Sequence, residues 1–330
     1  MRRLLLVAGC AGALAMPAGA GAAGGPVPAM QGGPGVRVPG SAAGYVAVGV
    51  GRRTLVEQVL RPGGVIGRTL TIRGRYGVPG VAYDNSTTGL SADGRTLVLA
   101  DILDRFPIRR TRFLVLDARR LRVVRRITLA GYYTVDAIAP DGRSLYLIRY
   151  PGGNATRYEV RAYDLAGNRL VPAPVVDPRE PGEKMQGLPL TRAVSADARF
   201  AYTLYQRPEG APFIHVLDTT GGTAACIDLP SLAGSDISGA RLTPPAGTRP
   251  LLVAAVGLAP LAVDVAARSA RPLRAVRPAP AAAPARGHGT ARRDIVPIAA
   301  LAAALALALA SAALRRRRRR RPARRREIPA

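Results

Sequence analysis

The stretch Leu90–Ala100, LSADGRTLVLA, puts an apolar entry, an Asp-Gly turn and an apolar run next to one another. Asp-Gly between two apolar runs is a strong hairpin signal, because both turn residues tolerate positive φ. The unit recurs as IAPDGRSLYLI (Ile138–Ile148), as VSADARFAYTL (Val194–Leu204), and in worn form as LTPPAGTRPLLVA (Leu242–Ala254). A second landmark follows each hairpin, an apolar strand ending in Asp: FLVLD (Asp117), VRAYD (Asp164), IHVLD (Asp218) and LAVD (Asp264). The turn Asp and strand Asp are 24, 23 and 21 residues apart, and successive strand Asp residues are 47, 54 and 46 apart. Two landmarks repeating in phase at about 50 residues mark a repeat array.

Around these landmarks the chain divides into units. Tyr45–Gly74 reads as three strands (YVAVGV, TLVEQVL, RTLTIRG). The next four units read as four strands each. They are TGLS, TLVLA, RFLVLD and RVVRRITL; DAIA, SLYLI, YEVRAYD and RLVPAPVV; RAVS, FAYTLY, FIHVLD and TAACIDL; GARL, PLLVAAV, LAVDVA and ARPLRAV. Second strands are apolar at almost every position, as a strand buried on both faces requires, and fourth strands carry more Arg. That gradient from dry inner to wet outer strands is how a propeller blade reads. The expected fold is therefore all-β, a β-propeller of about five four-stranded blades.

With the landmarks in place, residues 45–276 resemble YVTN-type and WD-repeat-like β-propellers. The matching residues are Asp93-Gly94, Asp141-Gly142 and Asp197, with Asp117-Ala118, Asp164-Leu165 and Asp218-Thr219. The first unit lacks an innermost strand, which residues 25–43 or the segment after Val276 could supply. The resemblance implies the fold and little about activity, since propellers host many functions.

The flanks suggest a location. Arg2-Arg3, the apolar core Leu4–Leu14 and the small residues 18–22 read as a secretory signal over 1–22. Val7–Cys10 also has the form of a lipoprotein box. Residues 23–44 and 277–294, rich in Gly, Pro or Ala, read as a linker and a stalk. Ile295–Leu314 is twenty uncharged residues, expected to form one transmembrane helix, and the Arg-rich tail 315–330 follows directly. Arginine at the end of a span fixes that end inside, so the propeller is expected to be extracytoplasmic on a bacterial plasma membrane.

Composition narrows the function. The formal charge is +27, and Lys184 is the only lysine. Ten Arg of the tail and Arg2-Arg3 hold much of that charge. The remaining Arg build no basic helix or basic-aromatic stripe, so nucleic acid is not the expected partner. His215, His288, Cys10 and Cys226 form no metal-ligand spacing, and no nucleophile elbow, phosphate loop or dinucleotide fingerprint is present. No cofactor, metal or catalytic residue is expected.

Loops between blades and between second and third strands should meet at one face. They gather Tyr76, Tyr83 and Asp84; Asp101, Asp104 and Arg105; Tyr132 and Tyr133; Arg149 and Tyr150; Tyr205 and Arg207. Tyr offers an apolar face with a polar tip, and paired Asp suits a cationic group. The expectation is a binding or scaffolding module for an envelope protein or glycan. The alternative is a propeller hydrolase or lactonase using the loop-face carboxylates.

Overall fold

The computed structural model describes residues 26–103, 108–153, 157–183 and 185–273. They form antiparallel sheets taken almost strictly in chain order. Two short strands come first, β1 (Ala29–Met30) and β2 (Val36–Arg37). The first sheet is β2 with β3 (Ala43–Val50), β4 (Arg53–Leu60) and β5 (Val65–Arg73). The second joins β1 to β6 (Tyr76–Pro79), β7 (Thr96–Asp101), β8 (Arg110–Asp117) and β9 (Arg122–Ala130). The third is β10 (Tyr132–Ile138), β11 (Ser144–Tyr150), β12 (Glu159–Asp164) and β13 (Arg169–Val175). The fourth is β14 (Leu188–Val194), β15 (Phe200–Gln206), β16 (Phe213–Asp218) and β17 (Thr223–Asp228). The fifth is β18 (Arg241–Thr243), β19 (Leu251–Ala254), β20 (Leu261–Asp264) and β21 (Ser269–Pro272).

Each sheet packs on the next through its own apolar seam. Val56 and Ile72 meet Leu97, Leu99 and Leu114 between sheets one and two. Val98 and Phe113 meet Leu145 and Leu147 between two and three. Tyr146, Tyr158 and Val160 meet Tyr205 and Leu217 between three and four. Leu204 and Ile214 meet Leu251 and Val263 between four and five. In the three middle sheets the second strands β7, β11 and β15 are covered on both faces, which is why they read as unbroken apolar runs. Among the described residues no such seam joins the fifth sheet to the first.

Both sequence landmarks have a local cause. In the hairpin, Gly94 N–H donates to the Ser91 carbonyl (2.9 Å), Ser91 Oγ donates to Asp93 (2.5 Å), and Asp93 accepts Arg95 N–H (2.9 Å). Positive φ is confined to the position after the Asp: Gly94 (65°), Gly142 (70°) and Ala198 (58°). This corrects the expectation of two left-handed residues, because the turn is wider than a two-residue hairpin. The strand Asp is an acceptor for the next turn. Asp117 takes Arg120 N–H, Asp164 takes Gly167 N–H, Asp218 takes Thr220 and Gly221 N–H, and Asp264 takes Ala267 N–H. Four residues after each Asp the chain turns left-handed, at Leu121, Asn168, Gly222 and Arg268. A side-chain carboxylate that caps its own turn explains the recurrence without invoking chemistry.

Two boundaries differ from expectation. The stretch 23–44, read as linker, carries β1 and β2, and β2 completes the first sheet as its inner strand. The inner strand of the second sheet is Tyr76–Pro79, while Leu90 makes only an isolated bridge to Leu97. The chain leaves the sheet after Pro79 and returns near Gly89, so TGLS, the expected inner strand, lies beyond this excursion. Gly77 and Gly80 allow β1 to lie close: a Cβ at Gly77 would fall 2.6 Å from the Met30 carbonyl oxygen. Among the described residues no helix is long and apolar enough to cross a membrane, and the expected span 295–314 lies outside them, as do the signal, stalk and tail.

Candidate functional site

Register places most of the loop-face residues at one end of the sheets. Tyr76 pairs with Asp101, Tyr132 with Tyr150, and Leu188 with Gln206 beside Tyr205. Asp104 and Arg105 lie outside the described residues. Strand alternation then sends neighbours to opposite faces, so proximity in sequence does not mean a shared surface.

Tyr76 and Tyr133 turn inward, and matching clasps hold them. Thr54 Oγ1 donates to the Gly74 carbonyl (2.9 Å) and accepts Tyr76 N–H (2.8 Å). Thr111 Oγ1 does the same for the Gly131 carbonyl (2.9 Å) and Tyr133 N–H (3.0 Å). Both Thr are fully buried, so the hydroxyl satisfies backbone groups that water cannot reach. Burial raises the Tyr76 phenol above its ordinary value, with Asp101 adding to it. Tyr205 is completely buried, stacked between Tyr158 (5.0 Å) and Phe213 (5.2 Å). Tyr150 is also buried, its ring 5.3 Å from that of Tyr132.

The charged candidates are tied down. Burial disfavours the Asp84 carboxylate, but hydrogen bonds from Ser86 N–H (2.9 Å) and Thr191 Oγ1 (2.7 Å) outweigh it and leave its pKa lowered. Tyr83 and Asp84 also donate their N–H groups to Pro189 and Leu190, so the excursion from sheet two is stitched to β14. Arg149 donates to Glu159 at 2.8 Å. Arg207 donates to Asp228 at 2.7 Å and lies 4.3 Å over the Phe213 ring.

Asp101, Tyr132 and Tyr133 do come together. With Val27–Ala29, Pro79 and Gly80 they line a cleft of about 30 Å³, room for a water or two. Asp101 accepts Arg112 N–H (3.0 Å), and burial still raises its carboxyl above the usual range. Burial pushes the Tyr132 phenol up to about 12, with Tyr83 adding to the shift. The cleft therefore presents a partly desolvated carboxyl beside the protonated Tyr132 phenol, an arrangement suited to holding a donor group.

A buried polar knot between sheets three and four was not anticipated. Arg192 donates to Asp136 Oδ1, to the Asp136 carbonyl (2.8 Å) and to Thr203 Oγ1 (3.0 Å). Asp136 Oδ2, His215 Nε2 and the Tyr158 hydroxyl are buried without a partner among the described residues. Burial lowers His215 to about 4, so it is neutral at pH 7. Cys226 Sγ lies 3.8 Å from His215 Nδ1, and burial first, then Glu183, push its thiol well above the ordinary range. A neutral imidazole beside an un-ionised thiol is no nucleophile pair. The repeat held a signal for this knot. Asp136 and Arg192 each precede their turn Asp by five residues, so the array sets opposite charges at equivalent places on adjacent inner strands.

No family model matches the chain, and no curated protein is similar to it in sequence. Solved structures do match, β-propeller proteins among them. TolB from Acinetobacter baumannii is 15% identical with a TM-score of 0.42, over 69% of this chain and 52% of that one. The chain thus spans about half the length of that TolB. BamB from Moraxella catarrhalis is 16% identical with a TM-score of 0.41, over 71% and 61%. The Cps50 (Swd1) β-propeller domain from Myceliophteria thermophila is 12% identical with a TM-score of 0.40, over 77% and 68%.

Proposed function

We propose that the chain is a membrane-anchored, extracytoplasmic binding module, its sheet array held outside the plasma membrane and its loop end meeting an envelope protein or glycan. One observation carries this reading: a leader-like start, an all-β array, twenty uncharged residues and an arginine run follow one another in the sequence. The geometry supports a binding role, since at the loop end Tyr83 is exposed and Tyr132 is half-buried at the edge of the core. Tyr83→Ala and Tyr132→Ala should each weaken retention of envelope material by the purified chain, and the exposed Tyr83 should do so with the melting temperature unchanged. Unchanged retention would refute the assignment of this face.

The raised carboxyl of Asp101 supports a second reading, a hydrolase or lactonase using carboxylates of the loop face. Turnover of ester or lactone substrates that Asp101→Asn abolishes would decide for the enzyme.

A further inference from the structure

Charge is divided unevenly along the array. Residues 26–131, which build the first two sheets, hold seventeen Arg against six acidic residues. Residues 132–229 hold nine Arg and one Lys against eleven acidic residues. In that second half Arg149 and Arg161 meet Glu159, Arg199 meets Asp218, and Arg207 meets Asp228. In the first half Asp117 must serve both Arg120 and Arg122, and Asp93 serves Arg95. Among the described residues, Arg37, Arg61, Arg68 and Arg119 have no carboxylate within ion-pair distance.

Register collects the surplus at one end. Arg37 pairs with Gly44 and Gly44 with Val59, one residue before the β4–β5 hairpin tip that holds Arg61. In the second sheet Asp117 pairs with Thr96 and with Arg122, so Arg95, Arg119, Arg120 and Arg122 share one end. The two ends coincide, because the Tyr45 hydroxyl donates to the Ala118 carbonyl at 3.0 Å. This is the turn end, opposite the loop end with its tyrosines.

The same end shows uncovered aliphatic side chains. On the hairpin tip LRPGGVI (Leu60–Ile66), Val65 is 59% and Ile66 53% exposed, and Leu60 and Val124 are exposed as well. A polymeric anion would satisfy the arginines and gain nothing from these aliphatics. A bilayer interface uses both: apolar tips enter the boundary of headgroup and acyl chain, while guanidinium groups stay with anionic headgroups.

We propose that the turn end of the first two sheets docks on an anionic lipid surface, with the Leu60–Ile66 tip entering the interface. The docking deepens the membrane-anchored reading by naming the face that meets lipid, and it does not require the anchor. The 21 residues from 274 to 294 can reach at most about 70 Å, against about 25 Å for the height of an eight-residue strand. A span at 295–314 therefore leaves either end of the sheets free to meet the bilayer.

The chain contains no Trp, so a single introduced Trp reports its own site. The full chain carrying Ile66→Trp is mixed with bilayers of phosphatidylcholine alone or with added phosphatidylglycerol. A blue shift and quenching by brominated lipid are expected only with phosphatidylglycerol, and should fade at high salt. Val256→Trp, exposed in the turn between β19 and β20, should not respond. Combining Arg61→Gln, Arg119→Gln and Arg120→Gln should weaken the response on the order of a hundredfold, about fivefold for each arginine. No shift on phosphatidylglycerol, or an equal shift for Val256→Trp, overturns the docking. So does tight binding of dextran sulfate with the hairpin-tip indole left unshielded, which points to a polymer instead. Alkaline carbonate extraction reads the anchor separately: a chain stripped by carbonate but quenched at the hairpin-tip indole refutes the span and supports the docking.

Discussion

Gly142 separates backbone strain from packing at a repeat turn. Its φ is 70°, and a Cβ there would fall 2.5 Å from Thr96 Oγ1 and 3.0 Å from Thr96 Cβ on the neighbouring sheet. Gly94 holds the same place one repeat earlier, with φ of 65° and nothing within 4 Å of a Cβ. Gly94→Ala should therefore cost only the left-handed penalty, about 1.5 kcal/mol. Gly142→Ala adds overpacking against Thr96, about 1–2 kcal/mol more, since the atoms it meets belong to a sheet and have little freedom to move. For an array of this size each kcal/mol lowers the melting temperature by roughly 2–4 °C. Thermal unfolding by circular dichroism should place Gly142→Ala several degrees below Gly94→Ala. Adding Thr96→Ala to Gly142→Ala removes the contact with Oγ1 but keeps that with Cβ, and should recover part of that difference relative to Thr96→Ala alone. Equal losses at the two glycines, or no recovery in the double variant, would refute the contact between successive turns.

Ala198 occupies the left-handed position that glycine fills in the other turns, so Ala198→Gly should raise the melting temperature, by about 1 kcal/mol of stability. Arg192→Met leaves Asp136 buried and unpaired and should cost about 3–5 kcal/mol in urea unfolding; pairing it with Asp136→Leu should restore much of the loss. Burial holds His215 near 4, below an unfolded value of about 6.5, so the unfolded chain takes up its proton first. The stability from the neutral ring is complete above pH 6.5 and is lost as pH falls toward 4, on the order of 3 kcal/mol; His215→Phe should flatten that part of the profile.

Local chemistry made the array legible. The hairpin Asp and the strand Asp each close a turn within five residues, so they recur visibly in the chain. The short strands β1 and β2 were hidden because two residues among Gly and Pro carry no alternation, and their partners lie elsewhere: Met30 meets Val78. The clasps of Thr54 and Thr111 were missed because each joins a Thr to a Gly-x-Tyr twenty residues later. Among the loop-end residues, sequence located the end and did not give direction. Tyr132 and Tyr133 are adjacent and both border the cleft, yet the period of two leaves the first half-buried and packs the second in a seam. The pair Asp136 and Arg192 was readable from the repeat register once opposite charges at equivalent positions were compared.

In the proposed membrane-anchored reading, orientation across the membrane decides whether the array can meet an envelope partner at all. Protease added to intact spheroplasts should digest residues 26–273 and leave a small fragment containing Arg315–Arg326. Full protection of the sheet array until the membrane is permeabilised would contradict an extracytoplasmic binding module.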